Sequence, residues 1–261
     1  MSPLHLAVVA CAALAALCWM LSLLTREYSW VDRVWSLAPI GYVAWFAAQT
    51  GFGDPRLVLM TTLVALWGAR LTYNFARKGG YARGGEDYRW AVLRGLMPPA
   101  AFQLFNLVFI AAYQNALLLL ISLPAHAAVR KPPAPLGPLD LIAAAGFVLF
   151  LIGETVADQQ QWSFQQAKRR GQPGPGFITT GLFRYSRHPN FFCEQGMWWC
   201  FYLFSVAAGA DAVHWTLAGP ALLTLLFLGS TRFTESISAA RYPAYRDYQR
   251  RTSRLLPWLP G

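Results

Sequence analysis

Charge is scarce in this chain. Only 13% of its 261 residues are Asp, Glu, Lys or Arg, against roughly 25% in a soluble domain, which excludes a water-soluble globule. Acidic side chains are scarcest, 12 against 22 basic ones, for a net charge of +10. The four cysteines (Cys11, Cys18, Cys193, Cys200) sit inside apolar blocks with neither CxxC nor Cys/His spacing, so no disulfide framework or zinc site is indicated. The four histidines (His5, His126, His188, His214) are scattered, and no metal site is expected. There is no alternating strand pattern and no glycine fingerprint between a strand and a helix, which excludes a Rossmann fold and a P-loop.

What fills the chain instead is apolar: 56% hydrophobic and 15% aromatic residues in long blocks. A run of about 18 or more apolar residues is a membrane-spanning candidate. Seven such runs are predicted, over about 3–24, 31–50, 57–76, 99–123, 139–161, 190–208 and 215–231, giving an all-α, polytopic membrane bundle in one domain, 1–261. The first run lacks a basic start and a cleavage site, so it is read as a retained helix. Basic residues concentrate in Arg77–Arg94, Lys168–Arg187 and the tail from Arg241. The positive-inside rule then places the C-terminus in the cytoplasm and the N-terminus outside; a bacterial inner membrane is the expected location. The cations flank apolar spans instead of lining a folded surface, which favours an anionic membrane face or cofactor over nucleic acid.

Polar groups inside hydrocarbon cost free energy and mark function or helix-to-helix glue. Here Asp32, Arg70, Tyr73, Glu154, Asp158, Gln161, Asn190, Glu194 and Glu235 all fall near the predicted cytoplasmic ends of their helices. Glu154 and Asp158 share a helical face at i, i+4, as do Asn190 and Glu194. Around them stand Arg77, Lys78, Arg83, Arg89, Lys168, Arg169, Arg170, Arg184 and Arg187, more cations than orientation requires. Guanidinium groups grip phosphates in fixed geometry, so a phosphate-rich soluble cofactor is expected. His188 reads either as a base or as a residue that stacks or caps a helix. Tyr73, three residues after Arg70, reads either as a proton donor beside a cation or as an interfacial aromatic.

The stretch Gly181-Leu182-Phe183-Arg184-Tyr185-Ser186-Arg187-His188-Pro189-Asn190-Phe191, with Glu194, resembles the C-terminal region of the steroid 5-alpha-reductase-like membrane proteins, in a bacterial branch. Glu154, Asp158 and Gln161-Trp162, the segment Gly84-Gly85-Glu86-Asp87-Tyr88-Arg89, and the ending Tyr245–Ser253 with Pro257 resemble it too. The likeness covers about 139 to the end and is weaker over the first three helices. It implies a seven-helix fold whose cofactor-binding half is about 139–261. NADPH would lie in the cytoplasmic half, and a lipid-soluble enone would enter from the bilayer to be saturated by hydride transfer and protonation.

Carried over, Asp158, Asn190 and Glu194 match polar cofactor contacts, and Arg184 and Arg187 supply the motif's positive charge. Tyr185, His188, Glu154, Lys168, Arg77 and Lys78 are grouped with them on the cofactor side. Glu235 lies near a family cofactor contact but differs in type. The Gln-Glu pair that holds the substrate carbonyl in steroid reductases is absent; Asp32 and Trp35 occupy that region, and Tyr73 or Arg70 is the nearest carbonyl partner. A related superfamily with a similar motif, the isoprenylcysteine and phospholipid methyltransferases, uses S-adenosylmethionine. Glu235 followed by Tyr242, Tyr245 and Tyr248 would suit it.

Overall fold

A computed structural model describes residues 2–259; the last two residues of the predicted tail lie outside them. The described residues are helical, with no strand and a single isolated parallel bridge between Ser186 and Ser253. In chain order the helices are α1 Pro3–Thr25, α2 Trp30–Val34, α3 Ala38–Ala48, α4 Pro55–Arg77, α5 Tyr88–Leu96 and α6 Pro99–Phe105. A π-helical stretch, Asn106–Tyr113, joins α6 to α7, Gln114–Val129. Then follow α8 Pro138–Arg169, α9 Pro189–Ala207, α10 Ala218–Arg241 and α11 Tyr245–Arg251. Proline opens most of the long helices, where its missing N–H costs nothing. Two of those starts are also capped: Ser2 accepts from the His5 amide at 3.2 Å, and Asp54 from the Arg56 amide at 2.9 Å.

Among the described residues, four helical stretches are long and apolar enough to cross a membrane: Pro3–Thr25, Pro99–Val129, Pro138–Arg169 and Trp215–Arg241. The chain is thus an all-helical protein with membrane-spanning segments, and several predicted boundaries move. The second predicted run, 31–50, is broken between α2 and α3. Pro39 has no N–H to give the Trp35 carbonyl, so a turn closed by Leu37 N–H to Val34 O at 3.0 Å intervenes. The helix after Pro99 does not end at 123: it runs through Pro124 to Val129. Pro124 frees the carbonyl four residues back, and Gly219 lies against it; a Cβ there would come within 2.5 Å of Leu120 O. Helices α8 and α10 extend well past their predicted ends into the basic segments.

The chain divides into two compact units. The first comprises Met1–Ala144 and Phe201–Ala221. In it α3 packs on α4 and α7, and α1 on α7 and the π-helical stretch, around Phe46, Met60, Trp67 and Leu117. Arg56 and Asp140, both fully inside, close a two-pronged ion pair at 2.7 and 3.0 Å, the paired geometry that makes buried charge tolerable.

The second unit comprises Ala145–Cys200 and Leu222–Gly261. Here small residues let α8 and α9 close up. A Cβ on Gly146 would meet Cys200 Sγ at 2.7 Å, one on Gly153 would meet Cys193 Sγ at 2.8 Å, and one on Gly196 the Phe150 ring at 2.6 Å. Each step up α8 is matched by an equal step down α9, so the pair is antiparallel. Helix α10 runs antiparallel to α9, with Phe191 on Phe227 at 4.6 Å between centroids and Trp199 Nε1 donating to Thr224 Oγ1 at 3.2 Å. Gly153→Ala should therefore destabilise the second unit by about 1–3 kcal/mol, the usual cost of overpacking. Adding Cys193→Ala, which removes the opposing sulfur, should return part of that cost in a double-mutant cycle of unfolding in detergent. Strictly additive effects would show that the two positions do not touch.

Candidate functional site

The register of α8 on α9 carries Asp158 to the level of His188, so the polar end of α8 meets the turn that opens α9. Three carboxylates are buried on these two helices: Glu154, Asp158 and Glu194 are 2%, 5% and 7% exposed. Asn190, half-buried, sits in the first turn of α9. The turn itself is positioned from α8, where Gln160 Oε1 accepts from the Leu182 amide at 2.9 Å, and by packing of Phe183 and Ile178 on Ala157. Gln161, from the same polar set, keeps a buried side-chain oxygen with no hydrogen bond.

The arginine-histidine pair of the motif lies on a different set of partners. Arg187 presents two N–H groups to Glu235 of α10, Nε to Oε1 at 2.7 Å and Nη2 to Oε2 at 3.0 Å. Its Nη1 donates to the carbonyls of Gln249, at 2.9 Å, and Thr252. His188 Nε2 lies 3.1 Å from Glu235 Oε1, and Gln249 Nε2 donates to Oε2 at 3.0 Å. Arg254 Nε adds a charge contact to Oε2 at 3.4 Å without hydrogen-bond alignment. The backbone repeats the connection: Arg187 N–H bonds Ser253 O at 2.8 Å, His188 N–H bonds Arg254 O at 3.1 Å, and Ser186 Oγ donates to Leu255 O at 2.8 Å. One carboxylate and one guanidinium thus fasten the chain's last helix to the motif.

This placement changes the expected role of several loop cations. Arg187 is committed inside the protein, not held open for a phosphate. Lys168 donates to Gly176 O at 2.9 Å and to the Tyr242 hydroxyl at 2.7 Å, and that hydrogen bond lowers the Tyr242 phenol below its usual value. Tyr242, Tyr245 and Tyr248 all pack on Phe177, and Tyr248 donates to Phe183 O; burial raises the Tyr248 phenol. Arg169, Arg170 and Arg184 remain exposed, as does Tyr185, whose carbonyl accepts from the Trp258 amide at 3.0 Å. Gln249, Thr252 and Arg254 were not singled out from the sequence. Gln249 and Thr252 entered only within the resembling ending Tyr245–Ser253, and the helix there is too short for a stripe of buried residues to mark them.

In the first unit a second polar cluster holds the glycine-rich loop. Glu27 accepts from the Gly84 amide at 2.7 Å and from Arg33 Nη2 at 2.6 Å, and Arg33 Nε donates to Gly80 O at 3.2 Å. Glu86 accepts from the Tyr28 amide at 2.6 Å, and Asp87 accepts from Arg89 and caps α5. Burial of Trp90 beside Tyr28 and Phe102 completes the dock. Trp35 packs against that cluster, and Asp32 accepts from Trp90 Nε1 at 3.1 Å. Arg89 is therefore a local partner of Asp87, and Arg77 donates to Asn74 Oδ1 at 2.9 Å while its guanidinium lies 5.5 Å from the centre of the Tyr73 ring. Tyr73 is 66% exposed and Arg70 half-buried on the same helix, and Lys78 is exposed at its end. Glu27 was missed from the sequence, and Glu86 entered only within the resembling segment 84–89; the scarcity of acids, 12 in the chain, was the available clue.

With this geometry in place, the chain belongs to the family described as "Protein of unknown function (DUF1295)", which it matches over residues 18–252. It is also 38% identical, over 93% of its own length and 76% of the relative's, to a Schizosaccharomyces pombe protein described as "Uncharacterized protein C594.04c". No solved structure gives a significant match.

Two outcomes follow from these clusters. The Gly84 amide first, and Arg33 second, hold the Glu27 carboxyl below its ordinary value of 4.5. A lowered carboxylate contributes stability that is full above the unfolded value and lost as pH falls below it. Protection of the amides of residues 80–87, measured against the intrinsic exchange rate at each pH, should therefore fall as pH drops below 4.5, and Glu27→Gln should lack that step. For the tail, Glu235→Gln leaves Arg187 buried without its counter-charge, a loss of about 3–5 kcal/mol. Arg187→Lys gives up the fork. Both should expose residues 242–258 to limited proteolysis, and an equally protected tail in both variants would remove Glu235 as the fastener.

Proposed function

We propose that this protein is an NADPH-dependent membrane reductase that saturates the C=C bond of a lipid-soluble enone. The observation that carries the reading is the burial of Glu154, Asp158 and Glu194 at the polar end of α8 and α9. Carboxylates in apolar helices are costly and are kept where they bind or react with something. Three acceptors with the Asn190 amide suit the hydroxyl and amide groups of a dinucleotide, and the exposed guanidinia of Arg169, Arg170 and Arg184 suit its phosphates. Arg187, His188 and Glu235 act one layer behind them, holding the turn that presents Asn190 and Glu194.

When bound, NADPH supplies the hydride; the protein's own part is to orient it and to stabilise negative charge on the substrate oxygen. For that second task we assign Tyr73 and Arg70 of the first unit, with Asp32, which holds the Trp90 indole, as a positioning residue and Trp35 as an apolar substrate contact. The resemblance to steroid 5-alpha-reductase-like proteins supports the assignment, as does the chemistry of a phenol beside a cation. A seven-span topology, with the C-terminus in the cytoplasm of a bacterial inner membrane, belongs to the same proposal. Lipid contact along the apolar helices is consistent with a substrate arriving through the bilayer.

The alternative, an S-adenosylmethionine-dependent methyltransferase, rests on Glu235 followed by Tyr242, Tyr245 and Tyr248. Here Glu235 is bound by Arg187 and the three rings by Phe177, which gives that spacing a structural role. Equilibrium binding to detergent-purified protein separates the two readings. NADPH should bind saturably, Asn190→Ala and Glu194→Ala should each weaken it by about 10- to 100-fold, the size of a charge-assisted contact, and added salt should narrow its advantage over NADH. Saturable binding of S-adenosylmethionine without any of NADPH would overturn the proposal.

A further inference from the structure

On the outer side of Glu235 the second unit opens a groove of about 380 Å³ between the end of α10 and α11. Its charged and polar walls are Arg232, Glu235 and Ser236 from α10, Arg246 and Gln249 from α11, and Arg254 just beyond. On α10 these residues follow helical spacing, so Arg232 and Ser236 share one face one turn apart, and two alanines in the next turn keep the floor low. Glu235 is the acid in the lining, and it is already bound by Arg187, His188 and Gln249 from behind. The groove therefore presents an excess of positive charge. Arg232 and Arg246 are exposed and form no ion pair among the described residues, and Arg254 keeps a buried Nε without a hydrogen bond.

We infer that this groove is a binding site for a phosphate group, and that an anionic lipid headgroup is its source. Converging guanidinium forks match the oxygens of a phosphate mono- or diester, and the Gln249 amide, which gives one N–H to Glu235, has a second to offer. The position selects the lipid. Arg232 is the first charged residue after the uncharged run 215–231 of a helix able to cross a membrane, so the groove begins where hydrocarbon gives way to headgroups. None of its three arginines belongs to the proposed cofactor set, and the inference stands without the reductase reading.

The test uses the full chain in detergent, with native mass spectrometry to count retained phosphatidic acid against diacylglycerol, which has the same tails and no phosphate. Wild type should retain phosphatidic acid preferentially. Arg232→Gln and Arg246→Gln should each weaken retention by about fivefold and the pair by about 25-fold, from the usual strength of a basic residue near anionic lipid. Arg232→Lys/Arg246→Lys, which keeps the charge, should lose less, and thermal unfolding reports whether each variant is folded. In a parallel arm, inorganic phosphate is compared with chloride at equal ionic strength. A thermal shift by phosphate that the Gln pair abolishes, with no lipid preference, would keep the phosphate site and replace its source by a soluble one. If neither ligand distinguishes wild type from the folded Gln pair, the site does not exist.

Discussion

The carboxylate of Glu235 is the point on which the second unit turns. It draws in the Arg187 fork, the His188 ring and the Gln249 amide at once, with Arg254 alongside. A lone carboxylate at that depth would be expelled or protonated; a fully coordinated one becomes a rigid node. Because Arg187 and His188 immediately precede Pro189, fixing them fixes the first turn of α9 and, through the α8–α9 register, the level at which Asp158 meets it. Arg187 and His188 thus serve geometry, holding the turn that carries Asn190 and leads to Glu194.

The two units solve the same problem in parallel ways. In each, an acid gathers loop donors: Glu27 takes the Gly84 amide and Arg33, and Glu235 takes Arg187 and the tail. Scarcity of acids makes such pairing selective, since few competing partners exist for the many arginines. It also explains how a chain with net charge +10 keeps several cations buried or half-buried without repulsion. Arg169, Arg170, Arg184, Arg232 and Arg246 are among the cations that stay exposed, and these the molecule offers to anions outside.

Much of this was legible in the residues. Long apolar runs located α1, α4, α8, α9 and the apolar part of α10, because hydrocarbon-length runs admit little besides helix. Breaks inside helices were harder to see. Pro39 stops a helix whereas Pro124 does not, and the freed Leu120 carbonyl lies against Gly219, far along the chain. In the site, the polar residues were found but their partners were not. Nothing local in Arg187 reveals whether it faces a ligand or a glutamate 48 residues later, and the tail carbonyls it binds carry no side-chain signature at all.

The backbone pairing of 186–188 with 253–255 sets an order of events during synthesis. When Arg187 and His188 leave the ribosome, the carbonyls that will receive them have not yet been made, and Glu235 must enter its helix before Gln249 exists to bind it. The polar end of the second unit can close only once residues 249–255 have been made. Until then the nascent chain holds charged groups in waiting at the membrane's edge, where water is the sole available solvent for them.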